Sequence, residues 1–290
     1  MFEKLSRSWA LVKASASVLQ ADKKLLVFPA LSALCTLLVA ASFFVPAMLA
    51  GLFSHFDRGH MSPGRILLLF AFYLVQYFVI IFFNSALVSA ALIRLRGGAP
   101  TVADGFNSAM TKLPSILIYA AISATVGMVL RALQERAGFI GRWIVGLIGL
   151  AWSLATFLVV PILVSNDINP VDAIKRSAEL LKRTWGENLI GNVGIGVVFG
   201  LIMVLLIMLG VLLIVAAVAS KSAVAIGLAI VLLVVAVMLM ALVQSALQGI
   251  YAAAIYRYAE EGAVGGGFDQ ALIANAFKPK EDNGVFRNRP

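Results

Sequence analysis

Residues 161–188 read PILVSNDINPVDAIKRSAELLKRTWGEN, and this stretch decides the fold. It is a charged island between two long apolar runs. Asn169 is placed to cap a helix, with Pro170 as the first helical residue and Asp172 in the first turn. Val171, Ile174, Ala178, Leu181 and Trp185 then recur at helical spacing and predict one apolar stripe. The other side carries Asp172, Lys175, Arg176, Glu179, Lys182 and Arg183, with Asp172–Arg176 and Glu179–Arg183 as expected i,i+4 pairs. Between membrane spans, such a helix is expected to lie flat at the interface, with Trp185 at headgroup depth and Lys175, Arg176, Lys182 and Arg183 near anionic lipid. The plainer alternative is a linker helix packed on the bundle.

The runs on either side fix the class. With 61% hydrophobic and 13% charged residues and a mean hydropathy of +0.98, the 290-residue chain does not fit a soluble globular domain. Six uncharged stretches could each cross a ~30 Å hydrocarbon core, which takes roughly 20 helical residues. They are Leu25–Phe53, Ile66–Ile93, Pro114–Leu130, Trp143–Val164, Leu189–Ser220 and Ser222–Tyr256. The last two are overlong and must tilt, kink or protrude. The expected fold is therefore all-α: a six-span domain over residues 1–262 with cytoplasmic interfacial amphipathic helices, then a partly disordered cytoplasmic tail at 263–290. No cleavable signal segment is expected at the N-terminus.

Basic residues outside the spans orient the chain. With the N-terminus inside, 17 of the 23 Lys and Arg residues fall on the inner side and 6 on the outer, which places both termini in the cytoplasm of a bacterial inner membrane. The net charge of +9 is then matched by a membrane surface, and nucleic acid is not an expected partner.

The inner segments share a design. Phe2, Leu5, Trp9, Val12, Ala16 and Leu19 form one stripe before the first span; Ala103, Phe106, Met110 and Leu113 form another before the third. Asp104-Gly105-Phe106 aligns by residue type with Asp172-Ala173-Ile174, so the chain reads as three units of interfacial helix and transmembrane hairpin. Trp9 and Trp185 are the expected anchors. Ser8-Trp9-x-Leu11, Asp22-Lys23-x-Leu25 and Phe28-Pro29 resemble the opening of an uncharacterised family of bacterial polytopic membrane proteins. Residues Asn169 to Ser177, with Trp185-Gly186, are similar to that family's central loop. The resemblance covers nearly the whole chain; it implies a multi-span inner-membrane protein and carries no catalytic residue. A looser likeness joins Pro161 to Trp185 with other six-span domains, including membrane domains attached to phosphodiesterases.

No Asp, Glu, Lys, Arg or His falls within a span, which argues against proton pumps and voltage sensors, since these use ionisable groups buried in the membrane. His55, Asp57 and His60 share one outer loop, but their spacing fits no metal motif and Arg58 opposes a cation. No cofactor and no metal is expected. The neutral polar residues are the candidate site: Gln76, Asn84 and Ser85 in the second span, Asn188 and Asn192 at the start of the fifth, and Gln244 and Gln248 in the sixth. In lipid such groups need partners, so they should point inward, as a hydrogen-bond network or as a cytoplasm-facing polar cavity. Gly196 and Gly200, and the ladder Ala241, Ser245, Gly249 and Ala253, predict close helix contacts. The leading expectation is a non-enzymatic scaffold or accessory subunit that engages anionic lipid, a protein partner or a second copy through its cytoplasmic face. A lipid or small-solute transporter using the polar cavity comes second, and an integral-membrane enzyme third.

Overall fold

Caps and prolines decide where the helices begin. In the computed structural model, residues 2–49, 63–185, 194–262 and 265 are described, the side chains of 2–11, 65, 183–185 and 194–198 aside. Helix α1 (Phe2–Ala21) ends before Asp22, whose carboxylate accepts from the Lys24 N–H and starts a 3-10 turn (Lys23–Leu26) leading into α2 (Val27–Leu49). There follow α3 (Pro63–Leu95), α4 (Val102–Thr111), α5 (Leu113–Arg136), α6 (Phe139–Ala155), α7 (Val159–Ser165), α8 (Pro170–Trp185), α9 (Gly194–Ala219) and α10 (Ala223–Glu261). Among the described residues there is no strand.

Among the described residues six segments are long and apolar enough to cross a membrane: the 3-10 turn with α2, α3, α5, α6 with α7, α9, and α10. Six crossings return the chain to the end where it started, here called the base. Ion pairs hold the base level. Arg96 at the end of α3 meets Glu261 at the end of α10 at 2.5 Å; Lys112 between α4 and α5 meets Asp167 after α7; and Arg176 of α8 meets Glu260 of α10. The core sits at this end. α3 is buried from Ser85 to Leu92, α7 over most of its length, and α10 at Ala246, Leu247, Gly249, Ile250 and from Ala252 to Tyr256. At the other end α9 and α10 expose Val204, Leu205, Leu212 and Leu232. Lipid tails accommodate those side chains as well as protein does, so burial gains nothing there.

The short helices at the base follow one register. Thr101 and Asp104 form a capping box at the start of α4, and the Asn169 carboxamide oxygen accepts from the Val171 N–H, 3.2 Å, at the start of α8. α4 buries Gly105 and Ala109, and α8 buries Ala173 and Ser177, the positions the aspartate alignment pairs. Gly105 is required there, since a Cβ would lie 2.5 Å from the Phe28 ring and 2.7 Å from the Ala86 carbonyl oxygen. Ser108 donates to Ser89, 2.8 Å, and ties α4 to α3.

Several expectations are corrected. α8 packs on α7, α6, α5 and α10, as the linker alternative has it, and its buried stripe is Ala173, Ser177 and Leu181. Val171 is 47% exposed and Met110 on α4 is 55% exposed, and Ala103 is exposed as well. The reason is that small residues let a helix approach its neighbours closely, so they, rather than the larger Val and Met, face the bundle. Asp172 pairs with Lys175 at 3.2 Å instead of Arg176, which reaches Glu260. Gly200 faces open space, and Ala241 and Ser245 are exposed; the ladder's other members, Gly249 against Leu87 and Ala253, are buried as expected, and Gly210 against Leu233 is a further tight contact. The fourth span is interrupted between α6 and α7.

Candidate functional site

Three spans frame a cleft of about 260 Å³. α2 contributes Pro29 and Ser32, α3 contributes Ile80, Phe83, Asn84 and Leu87, and α10 contributes Ser245, Gln248, Gly249 and Ala252. Phe157, in the interruption of the fourth span, completes the wall. Gly249 lets α10 close against α3, since a Cβ would sit 2.5 Å from Leu87 and 3.4 Å from the Asn84 oxygen. Ile80, Ser245 and Gln248 are exposed at mid-helix, so the cleft opens sideways onto the apolar flank of the bundle.

The lining combines hydrocarbon with four neutral polar side chains, Ser32, Asn84, Ser245 and Gln248, and contains no ionisable group. None of the four forms a hydrogen bond to another described residue. Together they offer hydroxyl and amide donors and several acceptor lone pairs. Such groups in a hydrocarbon environment cost several kcal/mol each when unsatisfied, by the order of magnitude known for polar transfer. The cleft thus presents unpaired donors and acceptors within an apolar wall.

The interruption beside it has a clear cause. Pro161 has no N–H to give the Phe157 carbonyl, and its ring crowds that turn, so the helix breaks four residues earlier. The Thr156 and Phe157 N–H groups turn back onto the Trp152 and Leu154 carbonyls, at 3.0 and 3.1 Å. The Leu158 N–H is taken up by the Ser177 hydroxyl of α8, 3.1 Å away and fully buried. Phe157 is held over the cleft, its ring 6.1 Å from that of Tyr251. Asn166, after α7, donates to the Tyr256 hydroxyl at 2.9 Å, and Lys112 donates to the Asn166 carbonyl at 3.1 Å, which anchors the same segment at the base.

Of the polar residues read from sequence, Asn84 and Gln248 meet in the cleft. Gln76 lies deeper and donates to the Thr36 carbonyl, 3.1 Å, clamping α2 to α3. Ser85 is fully buried on the neighbouring face of α3, and Gln244 does not line the cleft. Asn188 and Asn192 lie outside the described residues, as do the side chains of Trp9, Arg183 and Trp185 and the loop with His55, Asp57 and His60. Among the described residues no group of three His, Cys, Asp or Glu could hold a metal. Of the basic set on α8, Lys175 and Arg176 are engaged by carboxylates and Lys182 is exposed. Sequence reasoning passed over Ser32, Phe157 and Ser177. Ser32 follows Pro29 by about one turn, and Ser177 is the polar member of the Ala173–Leu181 stripe, so spacing carried a signal for both.

Fold and cleft define a six-span helical membrane protein with a neutral polar recess in its flank. The chain belongs to the Family of unknown function (DUF6159), whose model matches residues 64–267. Comparison with curated proteins and with solved structures gave no match.

Proposed function

We propose that this chain is a non-catalytic membrane protein that takes up a lipid-like amphiphile from the bilayer into the cleft between α2, α3 and α10, to carry or present it. The carrying observation is the set of four unpartnered neutral polar side chains inside an otherwise apolar recess that opens sideways. A volume of about 260 Å³ falls just under the usual range of small-molecule pockets, so it suits the head of an amphiphile whose chains stay in lipid. Carriage is favoured over a scaffold working through a basic face, because Arg96, Lys112, Lys175, Arg176 and Arg257 are each engaged by a carboxylate. In this reading the base and both termini face the cytoplasm of a bacterial inner membrane, as the 17-to-6 split of basic residues supports.

The test is gentle extraction from native membranes followed by mass spectrometry of bound lipid. Wild-type protein retains a lipid class that Asn84→Leu with Gln248→Leu loses while keeping its folded elution profile. Equal lipid content in both proteins would refute the reading.

A further inference from the structure

We infer that the head bound in the cleft is uncharged, of the diacylglycerol kind, and that the site discriminates against a phosphate; this rests on the cleft being the binding site proposed above. Depth is the first argument. On α3, Asn84 lies ten residues before Arg94; on α10, Gln248 lies nine before Arg257; on α2, Ser32 lies eight after Lys24. At about 1.5 Å per residue, the polar groups sit roughly 12 to 15 Å inward of the charged rim. A phosphate belongs at that rim, and what reaches the cleft from the bilayer is the part of an amphiphile that tolerates hydrocarbon.

Charge is the second argument. An anion in the recess would face two hydroxyls and two carboxamides with no cation among the lining residues. Burying an unpaired charge in so apolar a place is far costlier than burying a hydroxyl that finds a partner. Two of the cations at the base are also committed: Arg257 donates to the Leu95 carbonyl and pairs with Glu261 at 3.0 Å, and Arg96 pairs with the same carboxylate. A glycerol hydroxyl with its ester carbonyls, by contrast, donates and accepts, and the Asn84 and Gln248 carboxamides do both.

Lys23 and Lys24 are the exposed cations on the element that leads into α2, so they define the rival. If a phosphate were recognised there, the same lipid could still place its glycerol near Ser32. The experiment separates the two. Full-length protein is placed in phosphatidylcholine nanodiscs with a photoactivatable diacylglycerol or a phosphatidic acid bearing the same photoactivatable chains, and labelled peptides are mapped by mass spectrometry. The diacylglycerol is expected to label the α3 and α10 segments around Asn84 and Gln248, and unlabelled diacylglycerol to compete. Ser245→Val with Gln248→Leu should reduce that labelling about ten-fold, the loss of two hydrogen bonds. Lys23→Gln with Lys24→Gln should leave it unchanged. Stronger labelling of the cleft by phosphatidic acid, lost on removing the two lysines, would overturn the neutral-head assignment while leaving lipid binding intact. Labelling confined to other surfaces with both probes would overturn both.

Discussion

Replacing Ser177 by alanine should loosen the interruption in the fourth span and little else. The Ser177 hydroxyl takes the Leu158 N–H at 3.1 Å; the serine is fully buried and Leu158 is 1% exposed, so water does not replace the lost acceptor. The neighbouring carbonyls of Trp152 and Leu154 already receive Thr156 and Phe157. An orphaned buried N–H costs about 1–3 kcal/mol, whereas polar contacts between membrane helices average ~0.6 and reach ~1.7. The overlap of the two ranges, about 1–1.7 kcal/mol, corresponds to a roughly five- to fifteen-fold faster local opening, at ~1.4 kcal/mol per decade. Hydrogen exchange read by mass spectrometry in nanodiscs measures it directly on a peptide spanning 155–160. Exchange there should accelerate by that factor in Ser177→Ala, with the buried 249–256 segment of α10 unchanged. Ser177→Thr, which retains the hydroxyl, should stay close to wild type. Wild-type exchange in Ser177→Ala would refute the reasoning, and so would equal acceleration across α10, since the bond would then hold the whole bundle rather than the break.

Gly105→Ala should destabilise the protein by about 1–3 kcal/mol, because the added methyl meets the Ala86 carbonyl and the Phe28 ring. Gly200→Ala should be neutral or stabilising by up to ~1 kcal/mol, since nothing lies within 4 Å and alanine is the better helix former; a melting comparison in one detergent checks both. The Thr101 hydroxyl, then the Thr101 N–H, hold the Asp104 carboxyl below its ordinary value of 3.8. A lowered folded value means that the capping box stabilises above the ordinary value and is lost as pH falls through the folded one. Wild type should therefore lose stability on acidification below about pH 4 in part through this box, and Asp104→Asn should remove that share of the slope. Glu179 is exposed on α8, so in a Cys35→Ala background Glu179→Cys should react with an impermeant thiol reagent only from the cytoplasmic side; labelling from outside would reverse the proposed orientation.

The sequence by itself determined the class, the six membrane-length helices found among the described residues, and the start of α8. An uncharged run long enough to span lipid has only a helix available to satisfy its backbone, and Asn169 before Pro170 caps locally, through neighbours in the chain. It also named Asn84 and Gln248, because a carboxamide deep in an apolar run is conspicuous wherever the run folds. What it left open is which face of each helix turns inward. In water, side-chain size and apolarity answer that; in lipid the large apolar residues of α9 and α10 lose nothing outside, and close approach at Gly105, Ala173, Gly210 and Gly249 governs instead. Reading α8 by its large apolar stripe therefore placed Leu181 and Ile174 inward correctly but Val171 wrongly, and reading Gly200 by its motif gave a contact where there is space. The cleft depends on a further step, the meeting of Ser32, Asn84, Ser245 and Gln248 from three helices far apart in the chain. The fourth span reads as continuous although Pro161 breaks it locally, and only tertiary packing brought Ser177 onto the freed Leu158 N–H and set Phe157 over the recess.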